Sequence, residues 1–112
     1  MPRPKIPRFV SGYPMIAAFI PQGVSPSGEI FLSVEGLESI RLSDFERLDQ
    51  ETAAKIMDVS RQTYGRILAE ARSIVAQALV TGKALRIEGG TFSFRSQHGR
   101  QRRRRRGGRG NF

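Results

Sequence analysis

The chain has 112 residues, 38% of them hydrophobic, and a formal net charge of +9, which bounds it to one small domain with a modest core. The charge is uneven: residues 1–94 carry 11 Lys and Arg against 10 Asp and Glu, whereas residues 95–112 carry eight Arg and no acid, so the end of the chain points to an anionic partner, nucleic acid first. The lack of cysteine excludes disulfides, thiolate metal sites and cysteine nucleophiles, and no apolar run approaches the roughly 20 residues that cross a bilayer, so a cytoplasmic, nucleoid-associated protein without a membrane partner is expected.

"MPRPKIPRFV" opens the chain with three prolines interleaved with Arg3, Lys5 and Arg8. Proline fixes φ and removes a donor, so this arm should be extended. Such a basic arm can reach a minor groove, or "PRFV" can dock on the core beside "ALRIE". "MIAAFI" (15–20) and "EIFLSV" (29–34) flank the turn-rich "PQGVSPSG" (21–28) and read as short strands.

A first helix is expected from Val34 to about Leu48. Ser33 stands at the N-cap, and Leu37, Ile40, Leu42 and Phe45 form the apolar face, with Gly36 against helix formation. Glu35, Glu38 and Asp44 read as its solvated face. Asp49 is a good N-cap for a second helix, Gln50 to Met57. Ser60 is a good N-cap for a third, Arg61 to Thr81, with Gly82 as an αL stop. The third helix carries an apolar stripe of Tyr64, Ile67, Leu68, Ala71, Ile74, Val75, Ala78 and Leu79. "KALRIEGG" then alternates as a short strand ended by two glycines. The domain layout is an arm and strands over 1–32, a helical domain over 33–90 and a disordered Arg/Gly-rich tail over 91–112.

Two helices joined by a turn of about three residues are the helix-turn-helix layout. Ala54 is the small residue its crossing needs. Ala53, Met57, Val59, Tyr64 and Ile67 sit at offsets that fill the wedge. The turn position that wants φ > 0 is Asp58, which visits αL more readily than most non-glycine residues. The second helix of such a unit enters the DNA major groove by its N-terminal end. Ser60, Arg61, Gln62, Thr63 and Arg66 are therefore the candidate base readers. Arg matches guanine O6 and N7, and Gln matches adenine N6 and N7. Gly65 leaves room for close approach. Gln50, Thr52 and Lys55 are placed for phosphates, together with Arg102, Arg103, Arg104, Arg105 and Arg106 of the tail. Capping alone also produces a polar first turn, and helix pairs of this kind occur in proteins that never touch DNA.

The proline-punctuated "MPRPK", the run "LSVEGLESIRLSDFERLDQETAAKIMDVSRQTYGRILAEAR" and "ALVTGKALRIEGG" together resemble an uncharacterised family of small prokaryotic proteins expected to bind DNA. The resemblance covers nearly all of residues 1–90. It implies a helix-turn-helix similar to the fourth region of sigma-70 factors, hence a mostly α fold of the winged-helix-like superfamily with three helices and short flanking strands. It names no operator, ligand or pathway.

No enzyme is expected. His98 is a lone histidine in the tail, and no Ser has a base beside it. "TGKA" (81–84) lacks the spaced glycine and the hydroxyl of a phosphate loop, since Gln77 and Ala84 stand there. No cofactor is implied. Double-stranded DNA is the expected partner, with RNA possible through "RRRRRGGRG". A homodimer is expected because one helix-turn-helix makes few base contacts. The stripe at Ala71, Ile74, Val75, Ala78 and Leu79 is either all core of the protomer or in part the dimer seam, together with the short strands. Two other readings stand beside this one: an RNA-binding or ribosome-associated protein driven by the tail, and a protein-docking module of the transcription machinery.

Overall fold

Three polar side chains decide where the helices start. In the computed structural model, which describes residues 7–94, the Ser33 hydroxyl accepts from the Gly36 N–H and opens α1 (Val34–Ile40). The Asp49 carboxylate accepts from the Thr52 N–H at α2 (Gln50–Met57), and the Ser60 hydroxyl from the Thr63 N–H at α3 (Arg61–Thr81). Each oxygen satisfies an amide that lacks a partner within its own helix. Asp58 ends α2 at φ 59 and Gly82 ends α3 at φ 75. Both helices thus keep the boundaries expected from their caps.

The first helix does not run to Leu48. It leaves α geometry at Arg41, and a π-helical turn, Arg41–Phe45, carries the chain on, with the Glu46 N–H bonded to the Arg41 carbonyl at 2.8 Å. Arg47 then takes a left-handed φ of 63. The wider turn swings Phe45 off the apolar face, where it is 79% exposed, while Leu42 stays buried. Contacts from α3 and within the turn hold this shape. The Ser43 hydroxyl lies 2.6 Å from the Tyr64 hydroxyl, Arg72 pairs with Asp44 at 2.7 Å, and Arg41 pairs with Glu46 at 2.7 Å.

The strands are short: β1 (Arg8–Val10), β2 (Ala18–Phe19), β3 (Glu29–Leu32), β4 (Ala84–Ile87) and β5 (Phe92–Phe94). β4 lies between β3, parallel to it, and β2, antiparallel to it. β1 and β5 form a separate parallel pair with Arg8 opposite Phe92. "PRFV" therefore docks on the body as one reading allowed, but its strand partner is 92–94 and not "ALRIE". β5 also places residues 92–94 within the body, so the boundary expected at 91 moves past Phe94. The expectations for the arm before Pro7, and for the tail from Arg95 onward, lie outside the described residues.

α3 is the shared spine. Its first half packs Tyr64 and Leu68 against Leu42, Ala53, Ala54 and Met57. Its second half packs Ala71 and Ala78 against Leu32, Leu85 and Ile87. Ile40 touches both groups. Close to half of the described residues are helical. Gly36, unfavourable for the helix by propensity, has a packing reason: a Cβ there would lie 3.0 Å from Leu32 Cδ1 and 3.3 Å from Ala71 Cβ.

One expectation about surfaces fails. Glu35 and Glu38 are buried, not solvated. Glu35 accepts the Thr91 N–H at 2.9 Å, and Glu38 holds Arg41 and Ser11. Burial is tolerable because each carboxylate has donors at hand. Asp44 is exposed, as expected, but paired. Leu79, in the apolar stripe read either as core or as seam, is 79% exposed.

Candidate nucleic-acid interface

The geometry of the α2–α3 pair follows from small and flat packing at its centre. Ala53 and Ala54 are buried, and Met57 and Tyr64 fill the angle between the helices. Val59 packs at the edge of this group, whereas Ile67 lines a separate polar cleft that includes Arg8 and Glu70. The connection is Asp58, Val59 and Ser60. The Val59 N–H returns to the Ala54 carbonyl at 3.0 Å, which closes the turn around the left-handed Asp58.

Tyr64 fixes how α3 sits. It is 0% exposed, and its hydroxyl donates to the Ser39 carbonyl at 2.9 Å while lying 2.6 Å from Ser43 Oγ. A buried phenol needs such partners. Burial pushes its pKa up, with the Ser43 hydrogen bond working against that. The sequence marks Tyr64 as apolar filler; its role as a polar tie to α1 is not legible, because Ser39 is 25 residues away.

With Tyr64 pointing inward, the opposite side of the first turns faces solvent. Arg61, Gln62 and Arg66 are exposed, and Thr63 and Gly65 are half-buried. Arg61, Gln62 and Arg66 lie on adjoining turns, and these three carry the hydrogen-bonding chemistry of the face. Ser60 differs from them. Its hydroxyl accepts the Thr63 N–H and donates to Thr63 Oγ1, both at 3.0 Å, so it is engaged in the cap. Arg66 Nη2 reaches Thr63 Oγ1 at 3.5 Å, a weak contact that turns the guanidinium toward the helix start. The ion pairs of the body engage Arg41, Arg72 and Arg86, which leaves Arg61 and Arg66 outside them.

Gly65 is informative. A Cβ there would meet only Gln50 Oε1, at 3.6 Å, an ordinary contact. Packing of α2 on α3 does not require glycine at this position. A mid-helix glycine nevertheless costs about 1 kcal/mol relative to alanine.

On α2, Gln50 is half-buried, and Thr52 and Lys55 are exposed. The Thr52 amide is held by Asp49, whose carboxyl lies below its usual range chiefly through that hydrogen bond and slightly through the charge of Arg61. Arg47, exposed in the loop before α2, adds a cation that the sequence did not single out. Acids are interspersed: Asp49, Glu51, Asp58 and Glu70 are all exposed on or beside the same helices. Arg102 to Arg106 lie outside the described residues. Among the described residues no cluster of His, Cys, Asp or Glu could hold a metal ion, and no helix is long and apolar enough to cross a membrane.

Residues 1–95 match the family model described as "Protein of unknown function DUF134". The UPF0251 protein Teth39_0655 of Thermoanaerobacter pseudethanolicus is 51% identical over 94 residues, spanning 82% of this chain and 80% of its own. The UPF0251 protein TTE1845 of Caldanaerobacter subterraneus subsp. tengcongensis is 49% identical over 94 residues, with the same shares of both chains. A UPF0251 protein of Syntrophomonas wolfei is 46% identical over 99 residues, spanning 87% of this chain and 76% of its own. No solved structure matches the chain. The match runs to residue 95, five residues beyond the resemblance read over residues 1–90, and the chain belongs to the DUF134 family of uncharacterised prokaryotic proteins, whose curated members carry the name UPF0251.

Proposed function

We propose that the protein binds double-stranded DNA sequence-specifically and regulates transcription, with α2 and α3 acting as a helix-turn-helix similar to the fourth region of sigma-70 factors. α3 enters the major groove by its first two turns. Arg61, Gln62 and Arg66 read base edges, and Thr63 contributes a methyl or hydroxyl contact. Ser60 holds the helix start in place. Gln50, Thr52, Lys55 and Arg47 contact phosphates, and the arginines of the tail anchor the protein without regard to sequence. A nucleoid location follows from this reading.

The observation that carries the reading is Gly65. It stands on the second turn of α3 where packing leaves space for a side chain, beside exposed Arg61, Gln62 and Arg66. A glycine unfavourable for the helix and unnecessary for the core is accounted for by close approach of a ligand to that face. β5, the last described element, pairs with β1, and β1 packs against α1 and α2.

A second reading has one observation in its favour. The α2–α3 region is not strongly cationic, since exposed Asp49, Glu51 and Asp58 are interspersed with Lys55, Arg61 and Arg66 along it. A mixed surface of this kind suits docking on a protein of the transcription machinery. Binding of Arg61→Ala and Gln62→Ala proteins to a panel of duplex sequences separates the two. Under the DNA reading, each substitution weakens the best site by roughly 1–3 kcal/mol and relaxes preference at one base pair. Binding that is unchanged for both variants would sink that assignment.

A further inference from the structure

At the far end of α3 lies an apolar groove of about 600 Å³. Its lining includes Leu37, Val75 and Leu85, which belong to or border the core, and Phe19, Ile20 and Leu79, which are each more than half exposed. Val80 adjoins Leu79 and is 83% exposed. Met15, shortly before β2, is 98% exposed, and Ile16 beside it is more than half exposed. The chain has no charged residue from Phe9 to Gly28. Phe19, Ile20 and Leu79 thus line the groove and protrude into solvent at once.

We propose that a second copy of this chain covers this face in a two-fold homodimer, with the apolar side chains around Met15–Ile16 and Leu79–Val80 of each protomer seated against the groove of the other. Several facts favour a second copy over other occupants. A two-fold contact uses the same patch twice, so the patch must supply both the recess and what fills it, and this one does. Phe19, Ile20 and Leu79 of the lining, together with Met15, Ile16 and Val80 next to them in sequence, expose on the order of 700 Å², close to the about 800 Å² that one partner gives a stable interface. The segments of the chain outside the described residues, "MPRPKI" and "RSQHGRQRRRRRGGRGNF", are dominated by Arg, Gly and Pro and have the wrong chemistry for an apolar groove. Among the described residues Lys83 is the one charged group in the groove lining, so the groove lacks the cluster of cations that a polyanion needs. The expected stripe at Ala71, Ile74, Val75 and Ala78 serves the protomer's own core; the seam lies beside it, on Leu79, Val80 and the segment around β2.

The dimer does not depend on the DNA reading. From Arg61 to Leu79 α3 rises about 27 Å, at about 1.5 Å per residue, so the seam leaves the Arg61–Arg66 face open. Sedimentation equilibrium of the full chain, in high salt and without nucleic acid, tests the proposal separately from any DNA binding. The expected mass is twice the 12.5 kDa of the protomer. Met15→Lys and Leu79→Lys should each weaken self-association about 30-fold or more. Both side chains are exposed in the protomer, so circular dichroism of the variants should match wild type. Phe45→Lys, on an exposed side chain outside the groove lining, should remain dimeric. A wild-type mass of 12.5 kDa at tens of micromolar overturns the proposal, whether or not another protein later proves to occupy the groove. So does a dimer that neither Met15→Lys nor Leu79→Lys weakens.

Discussion

The first two turns of α3 and its last two turns both present side chains to solvent, but their chemistry is opposite. At the first end Arg61, Gln62 and Arg66 are exposed around a glycine, over a base fixed by buried Tyr64. At the last end Leu79 and Val80 are exposed beside an apolar groove. One helix therefore carries two surfaces of different kinds, separated by a middle that is committed to the core through Leu68 and Ala71. Polar groups that remain hydrated when free favour a partner that rewards directional hydrogen bonds. Apolar groups left in water favour a partner that removes them from it.

The sharpest way to break this contrast is to remove what fixes the first end. Tyr64→Ala deletes a fully buried ring and its bond to the Ser39 carbonyl, and it should cost about 3–5 kcal/mol in urea unfolding. Leu79→Ala should change the stability of the protomer by less than about 0.5 kcal/mol, because the side chain is mostly exposed. Similar losses at both sites would contradict the division of α3 drawn here.

The two helical glycines give a smaller and more pointed contrast. Gly65→Ala should stabilise the fold by up to about 1 kcal/mol and still weaken DNA binding, since its Cβ meets only Gln50 Oε1. Gly36→Ala should destabilise by about 1 kcal/mol, because its Cβ would crowd Leu32, Ser33 and Ala71. Thermal melts read both signs, and a duplex titration reads the binding of Gly65→Ala. If Gly65→Ala binds DNA as wild type does, the glycine has another explanation.

The smallest expected effect is at high pH. Burial holds the Tyr64 phenol above its ordinary value of 10.0. The folded state then keeps the proton more tightly than the unfolded state does. The resulting stabilisation is complete below the unfolded value and is lost as pH rises through the folded one. Tyr64→Phe should flatten that alkaline limb while costing about 1 kcal/mol at neutral pH. Unfolding titrations across pH 9 to 11, a window set by about one unit around a tyrosine's ordinary pKa, give the comparison.

Much of the α2–α3 region was legible because its boundaries are local. Asp49 and Ser60 cap, and Asp58 and Gly82 turn, through hydrogen bonds spanning a few residues. The exposed set Arg61, Gln62 and Arg66 follows from the same spacing once Tyr64 is known to point inward. What was not legible depends on distant partners. The π-helical turn rests on Tyr64 and Arg72, about 21 and 28 residues away from Ser43 and Asp44. β5 needs β1 from the opposite end of the body. Glu35 and Glu38 read as solvated because the donors that permit their burial, Thr91 and Ser11, come from elsewhere in the chain. Leu79 matched the helical period but stands in the wall of the open groove, mostly exposed, whereas Ala78 is buried.

The most direct test of the central claim is selection of binding sites from random duplex DNA, near physiological salt, with residues 1–94 so that the tail cannot dominate. The account predicts an enriched motif that loses one position in Arg61→Ala, and a pair of half-sites related by a two-fold if the protomers dimerise through the groove. Recovery of unenriched sequence from a folded protein would contradict it and would turn the α2–α3 face toward a protein partner.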